Sequence, residues 1–126
     1  MIENFICRSQ LLILQSNTKG EEGEFFNSKI KELKNLFETM PKTYEQDGKG
    51  KDAIAYLHYF KNDCDWYITE RDMEQEQLQA FGLACLNGDY PEIGYISIVE
   101  LLSVGAELDL YWTPKTIKEI EKEING

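Results

Sequence analysis

The sequence predicts a single α+β domain over residues 1–126, in which a mostly antiparallel β-sheet is accompanied by an amphipathic helix in the N-terminal half and a helix at the C-terminus. Three observations predict this class. A long segment with helical periodicity precedes several short runs of aromatic and β-branched residues, and a second helical segment follows them. With 126 residues, of which 42% are hydrophobic, the chain has the length and composition of one folded domain.

The N-terminal part contains one ambiguous segment and one clear helix. The aliphatic run in Gln10–Gln15 predicts a strand, although a short helix fits almost as well. A polar connector at Ser16–Gly23 leads to Glu24–Met40, which predicts an amphipathic helix because its apolar residues recur at intervals of three and four. Pro41 ends this helix. The apolar residues are Phe26, Ile30, Leu33, Phe37 and Met40.

Five segments beyond a loop at Lys42–Lys51 have the composition of β-strands. They are rich in aromatic and β-branched residues or alternate in side-chain type, and turn-forming residues separate them. A polar hairpin at Arg71–Gln77 joins the second strand to the third. The predicted strands are Ala53–Phe60, Asp65–Glu70, Leu78–Leu86, Ile93–Ile98 and Leu108–Trp112.

Capping residues indicate two further helical segments. Ser97 stands three residues before Glu100, a capping-box spacing that predicts a helical turn, which the breaker Gly105 ends. Thr113 followed by Pro114 matches the N-cap and first position of a helix. This pair predicts a C-terminal helix over Lys115–Ile124.

The cysteines and the N-terminus predict a cytoplasmic protein. Cys7, Cys64 and Cys85 form no CxxC pair, so a zinc ribbon or thioredoxin-like site is unsupported and reduced thiols are expected. Cys85 lies in an apolar run and is predicted to be a core residue. The longest aliphatic run, Leu11–Leu14, is far shorter than the roughly 18 residues of a membrane span. The N-terminus lacks the basic start and cleavage site of a secretory signal.

Negative charge is concentrated in the part of the chain that is predicted to form the sheet. The protein has 13 basic and 23 acidic residues, a formal charge of −10. Between Asn62 and Trp112 eleven acids accompany a single base, Arg71, whereas the flanking segments are balanced. This distribution argues against direct binding to nucleic acid or an anionic membrane, because Lys and Arg supply most of the affinity for phosphate.

Four groups of residues occur in order between Pro41 and Ile120. They are Trp66-Tyr67-x-Thr69-Glu70-x-Asp72, Phe81-Gly82-Leu83, Glu92-x-Gly94-Tyr95-x-Ser97-x-x-Glu100-Leu101 and Glu107-x-Asp109-Leu110-Tyr111-Trp112. In order and spacing they resemble the bacterial and phage domain-of-unknown-function family 2958, with residues 41–120 as the similar part and residues 1–40 as an N-terminal extension. The resemblance implies a small α+β domain of phages, plasmids and other mobile elements, in a family with no settled activity.

The concentrated negative charge predicts a non-catalytic binding function, because an acidic surface attracts a basic partner. Together with the mobile-element resemblance, it points to a phage protein that mimics nucleic acid and blocks the basic surface of a restriction enzyme or CRISPR effector. The competing interpretation is a solvated acidic face that only aids solubility. Of the predicted partner-binding residues, five acids are expected to cluster around one hairpin: Asp63, Asp65, Asp72, Glu74 and Glu76. The others are Trp66, Glu70, Asp89, Glu92 and Tyr111.

Two alternatives remain open. A small metal-dependent enzyme would use four carboxylates as oxygen ligands for Mg²⁺ or Mn²⁺, although their spacing does not demand a metal. A regulatory module would bind its partner through Glu24–Met40, provided that Phe26 or Phe37 is exposed. The four carboxylates are Glu70, Asp72, Glu92 and Glu100.

Neither a catalytic residue nor a cofactor is expected from the motifs. His58, the single histidine, is predicted to be a packed or edge residue. A catalytic triad would require it to meet Ser97 or Cys64, and the sequence contains neither a nucleophile elbow nor an oxyanion glycine motif.

Overall fold

The computed structural model describes residues 1–125 and consists of a five-stranded antiparallel sheet with helices on both faces. The α+β class is therefore confirmed. The helices are α1 (Arg8–Asn17), α2 (Gly23–Thr39), α3 (Ile98–Ser103) and α4 (Ile117–Asn125). The strands are β1 (Ile54–Ala55), β2 (Leu57–Lys61), β3 (Cys64–Glu70), β4 (Ala80–Cys85), β5 (Glu92–Ile96), β6 (Glu107–Leu108) and β7 (Lys115–Thr116).

The main sheet has the strand order β5–β4–β3–β2–β6, and β1 pairs with β7 in a separate two-stranded ribbon. The strands β2 to β5 follow one another as hairpins, so most of the predicted strands are confirmed. The predicted strand Ala53–Phe60 is divided into β1 and β2. The predicted strand Leu108–Trp112 is wrong beyond its first residue, because the chain forms a turn in which the Tyr111 N–H donates to the Asp109 carboxylate.

The strand predicted at Gln10–Gln15 is wrong, because this segment belongs to α1. The buried residues of α1 follow a helical spacing, because Gln10 and Leu14 are four residues apart and lie on the same side of the helix. Leu12 and Ile13 lie on the outer side and are 53% and 62% exposed.

The helix predicted at Glu24–Met40 is confirmed as α2, which ends just before Met40 and Pro41. Its buried Phe37 stacks on Phe5 with ring centroids 4.2 Å apart. Helices α1, α2 and α3 cover one face of the sheet and share one apolar core with it. The N-terminal segment is therefore integrated into the domain.

The start predicted for the C-terminal helix is wrong. Residues Lys115–Thr116 pair with β1, and α4 begins after them. The capping box uses Thr116 in place of Thr113: the Glu119 N–H donates to Thr116 Oγ1, and the Thr116 N–H donates to Glu119 Oε1. The box predicted at Ser97 is confirmed, since its side chain accepts the Glu100 N–H.

Helix α4 covers part of the second face of the sheet through a smaller core around Leu83, Ile117 and Ile120. Cys85 packs at the margin of this core and is partly exposed, so its prediction as a core residue is wrong, and Cys7 is the buried cysteine. All three cysteines are free thiols. Within residues 1–125, every helix is too short or too polar to span a membrane.

Candidate functional site

The turns of the sheet distribute its acidic residues between two opposite ends. The β2–β3 turn at Asn62–Asp63 and the β4–β5 turn at residues 86–91 lie at one end, whereas the β3–β4 loop lies at the other. Strand β3 separates the two ends by about 20 Å, given a rise of about 3.3 Å per residue. Glu74 and Glu76 are therefore far from Asp63, and the predicted cluster around one hairpin is divided.

Six carboxylates lie at the end that carries the two turns, which we call the acidic end, and they are spread across the sheet from β6 to β5 and over both of its faces. The Cys64 thiol and the Asn87 side-chain oxygen are 3.5 Å apart, so the two turns are in contact. Asp65 stands opposite Phe60, and Phe60 stands opposite Glu107, which brings these side chains to one face. The residues of the acidic end are Asp63, Asp65, Asp89, Glu92, Glu107 and Asp109.

The basic groups near the acidic end have partners within the protein. Lys29, which lines a small pocket with Asp109, pairs with Glu32. Lys61 lies on the other face of β2 and donates to the Val104 carbonyl. His58 bridges two of the acids, with Nε2 2.7 Å from Asp65 Oδ1 and Nδ1 3.0 Å from Asp109 Oδ2.

Tyr67, the cross-strand neighbour of His58, packs against this bridge. Its ring stacks on His58 with centroids 4.6 Å apart and an interplanar angle of 6°. Burial raises the pKa of Tyr67, and the negative charges of Asp65 and Asp109 act in the same direction. His58 is thus a packed residue inside an acidic network, as predicted.

Three of the predicted partner-binding residues lie at least partly inside the protein. Glu70 and Asp72 are buried, and their carboxylates accept backbone N–H groups: that of Tyr44 at Glu70, and those of residues 74, 78 and 79 at Asp72. Trp66 is half-buried against the main core. These side chains organise the fold and do not contribute to an acidic surface.

The proposed metal ligands do not converge. Glu70 lies opposite Phe81, near the β3–β4 end, whereas Glu92 lies opposite Ala84, at the acidic end. Glu100 is on α3, which packs on the face of the sheet that Glu70 does not share. Within residues 1–125, no group of three or more His, Cys, Asp or Glu side chains has the geometry of a metal site.

Exposed aromatic side chains accompany the acidic end. Tyr111, predicted from the sequence, is 77% exposed and follows Asp109 by two residues. Tyr90, which the sequence reasoning missed, is 90% exposed beside Asp89. Its position directly after the Asn87-Gly88-Asp89 turn was the available signal, because a side chain next to a turn apex seldom reaches a core. Phe60 is also partly exposed.

A cleft of about 530 Å³ lies on the second face of the sheet, away from the acidic end. The loop residues 43–50 form one wall, strands β3, β4 and β5 form the floor, and Ile117 at the start of α4 forms the other wall. No local pattern indicated the cleft, because its walls come from segments far apart along the chain.

A family model described as "Protein of unknown function (DUF2958)" matches residues 29–116, which is more than half of the chain. The chain belongs to this family. The match confirms the resemblance found in the sequence and extends it into α2. Neither curated proteins nor solved structures provide a match to the chain.

Proposed function

We propose that this DUF2958 protein is a non-catalytic inhibitor that binds a basic protein through its acidic end. The partner is a host defence protein, of the restriction or CRISPR type, whose nucleic-acid-binding surface the acidic end covers in the cytoplasm. One observation carries the proposal: six carboxylates share one end of the sheet, and the nearby lysines Lys61 and Lys29 already have partners within the protein.

The acidic end has the electrostatic character that this function needs. Carboxylates concentrated at one end of a protein create a local negative potential that accelerates encounter with a cationic groove. Asp63, Asp89, Glu92 and Glu107 are exposed, so they are accessible to Lys and Arg side chains of a partner. The His58 bridge holds Asp65 and Asp109 in place and reduces the entropy lost on binding.

Exposed aromatic residues supply the contacts that charge alone does not provide. Surface ion pairs contribute little net affinity, whereas Tyr side chains are enriched among the residues that dominate binding energy. Tyr90, next to Asp89, and Tyr111, two residues after Asp109, are exposed enough for this role. The charges would then set the rate of association, and the aromatic contacts would set the lifetime of the complex.

The test uses two variants with the same net charge. In the first, four exposed acids of the acidic end are neutralised; in the second, four exposed acids elsewhere are neutralised. Each tagged protein is used to capture partners from host lysate at low salt, and bound protein is eluted with a salt gradient. The acidic-end variant is Asp63→Asn, Asp89→Asn, Glu92→Gln and Glu107→Gln. The control variant is Glu21→Gln, Glu38→Gln, Glu74→Gln and Glu76→Gln.

We expect wild type and the control variant to retain a basic protein that elutes at the same salt concentration. The acidic-end variant should lose this protein or release it at clearly lower salt, because fewer charges contribute to the contact. If both variants released the protein at the same salt concentration, and that concentration were lower than for wild type, total charge and not the acidic end would determine binding. A requirement for divalent metal would also contradict the proposal.

A further inference from the structure

The cleft on the second face of the sheet has the size and lining of a small-molecule site. Its volume of about 530 Å³ lies within the roughly 300–1,000 Å³ that is usual for ligand pockets. Phe81, Ile93 and Ile117 give it an apolar surface. The cleft is separate from the acidic end, so its occupant is not determined by the proposed function.

The charged groups that line the cleft are all acidic. Glu70 and Asp47 contribute carboxylates, and no Lys, Arg or His of residues 1–125 belongs to the lining. A phosphate or carboxylate ligand would therefore enter without a counter-ion and against two negative charges. The electrostatics favour a cation.

Glu70 is the more buried of the two acidic residues that line this cleft. It is only 5% exposed, and its Oε1 accepts the Tyr44 N–H. Within residues 1–125, its second oxygen, Oε2, receives no hydrogen bond, and the carboxylate forms no ion pair. A buried carboxylate that keeps a free oxygen towards a cavity can accept from a charged donor, an interaction stronger than a neutral hydrogen bond.

Two hydrogen-bonded tyrosines form part of the lining of the cleft. Tyr44 has a φ of 79°, which is rare for a bulky residue, and its hydroxyl is 2.8 Å from that of Tyr95. The hydrogen bond with Tyr44 raises the pKa of Tyr95, and burial and the negative charges of Glu70 and Asp47 raise it further. The aromatic ring of Tyr95 meets Phe81 edge-on, with centroids 5.5 Å apart.

We infer that the cleft binds a small organic cation with a flat, apolar body. The ammonium, amidinium or guanidinium group of the ligand donates to Glu70 Oε2, and the flat body packs on Phe81 and Ile93 between the loop and α4. Asp47 adds a second negative charge near the mouth.

Three probes of the same shape and different charge test this inference. Benzamidine is cationic, benzamide is neutral and benzoate is anionic. Each is titrated into the isotopically labelled full-length protein, and chemical shifts are followed by NMR. We expect benzamidine to shift the amides of Tyr44, Gly82 and Tyr95 and to bind at least about tenfold more tightly than benzamide, with benzoate weakest. This comparison requires no mutation.

A substitution then assigns the preference to one carboxylate. Glu70→Gln keeps an acceptor for the Tyr44 N–H and removes the charge, so benzamidine should lose its advantage over benzamide. The matched control Glu38→Gln, on the exposed side of α2, should bind like wild type. Equal affinity for the three probes, shifts confined to the acidic end, or an unchanged preference in a folded Glu70→Gln protein would overturn the inference.

The two proposals fail separately. The four-residue acidic-end variant should bind benzamidine as wild type does, because none of its substitutions lines the cleft. Loss of partner capture therefore says nothing about the cleft, and loss of benzamidine binding says nothing about the acidic end.

Discussion

At the scale of single residues, three buried glutamines act as substitutes for strand backbone. The amide of Gln10 exchanges two hydrogen bonds with the N–H and C=O of Leu108, and that of Gln46 does the same with Ile54. Gln77 bonds both backbone groups of Asp72 in the same way. A sequence pattern cannot reveal these roles, because glutamine is usually a surface residue and nothing in its local sequence marks it as buried.

Gln46 offers the clearest test of this role, because its Nε2 also donates to the Thr69 carbonyl. Gln46→Ala leaves buried backbone groups at Ile54 and Thr69 without partners. We expect it to lower the free energy of unfolding by roughly 1–3 kcal/mol, measured by urea denaturation. Gln15→Ala, at an exposed position of α1, is the control and should change stability by less than about 0.5 kcal/mol. A cost for Gln46→Ala no larger than the control's would contradict this role.

The capping box of α4 makes the stability of the fold depend on pH. Hydrogen bonds from the Thr116 backbone and side chain lower the pKa of Glu119 from 4.5. A lowered pKa in the folded state stabilises the fold above the unfolded value, and this contribution is lost as the pH falls through the folded value. NMR titration should give Glu119 a pKa below 4.5 in wild type and one closer to 4.5 in Thr116→Ala. An unchanged value in that variant would contradict the capping geometry.

At the scale of elements, the sequence identified those with a local signal and missed those that depend on contacts. The periodicity of α2 was sufficient because its apolar residues recur on one buried face. The aromatic and β-branched composition of β3 was sufficient, although the burial of this strand increases towards its end and does not alternate. In α1 the aliphatic run Leu11–Leu14 was interpreted as a strand, because two of its apolar residues point to solvent and so obscure the helical spacing of the buried ones. The start of α4 was misplaced because Lys115–Thr116 pair with β1, a contact that no local propensity encodes.

Strand β4 shows how closely two elements approach. A side chain at Gly82 would overlap the Tyr67 carbonyl of β3, next to the irregularity between Ile68 and Glu70. Gly94 lies directly opposite on β5, and a side chain there would meet nothing within 4 Å. Gly82→Ala should therefore cost roughly 1–3 kcal/mol of stability. Gly94→Ala should be neutral or stabilise by up to about 1 kcal/mol. Similar melting temperatures for the two variants would contradict this difference.

At the scale of the whole molecule, topology decides which charges meet. The sequence correctly located the excess of acids between Asn62 and Trp112, but neighbours along the chain, such as Asp63 and Glu74, lie at opposite ends of the sheet. Asp63, Asp89 and Glu107 lie at the same end of the sheet because two turns and a short edge strand share that end. Antiparallel pairing separates residues in adjacent turns, so no count along the sequence could have predicted the acidic end or the cleft.

The most direct test of the account is competition for the captured basic protein. That protein is mixed with labelled nucleic acid, and the displacement of nucleic acid by wild type, the acidic-end variant and the control variant is measured at fixed salt. We predict that wild type and the control variant displace it at the same concentration, and that the acidic-end variant requires at least about tenfold more. Equal displacement by the two variants, or binding of the wild type without any displacement, would contradict the claim that the acidic end covers a nucleic-acid-binding surface.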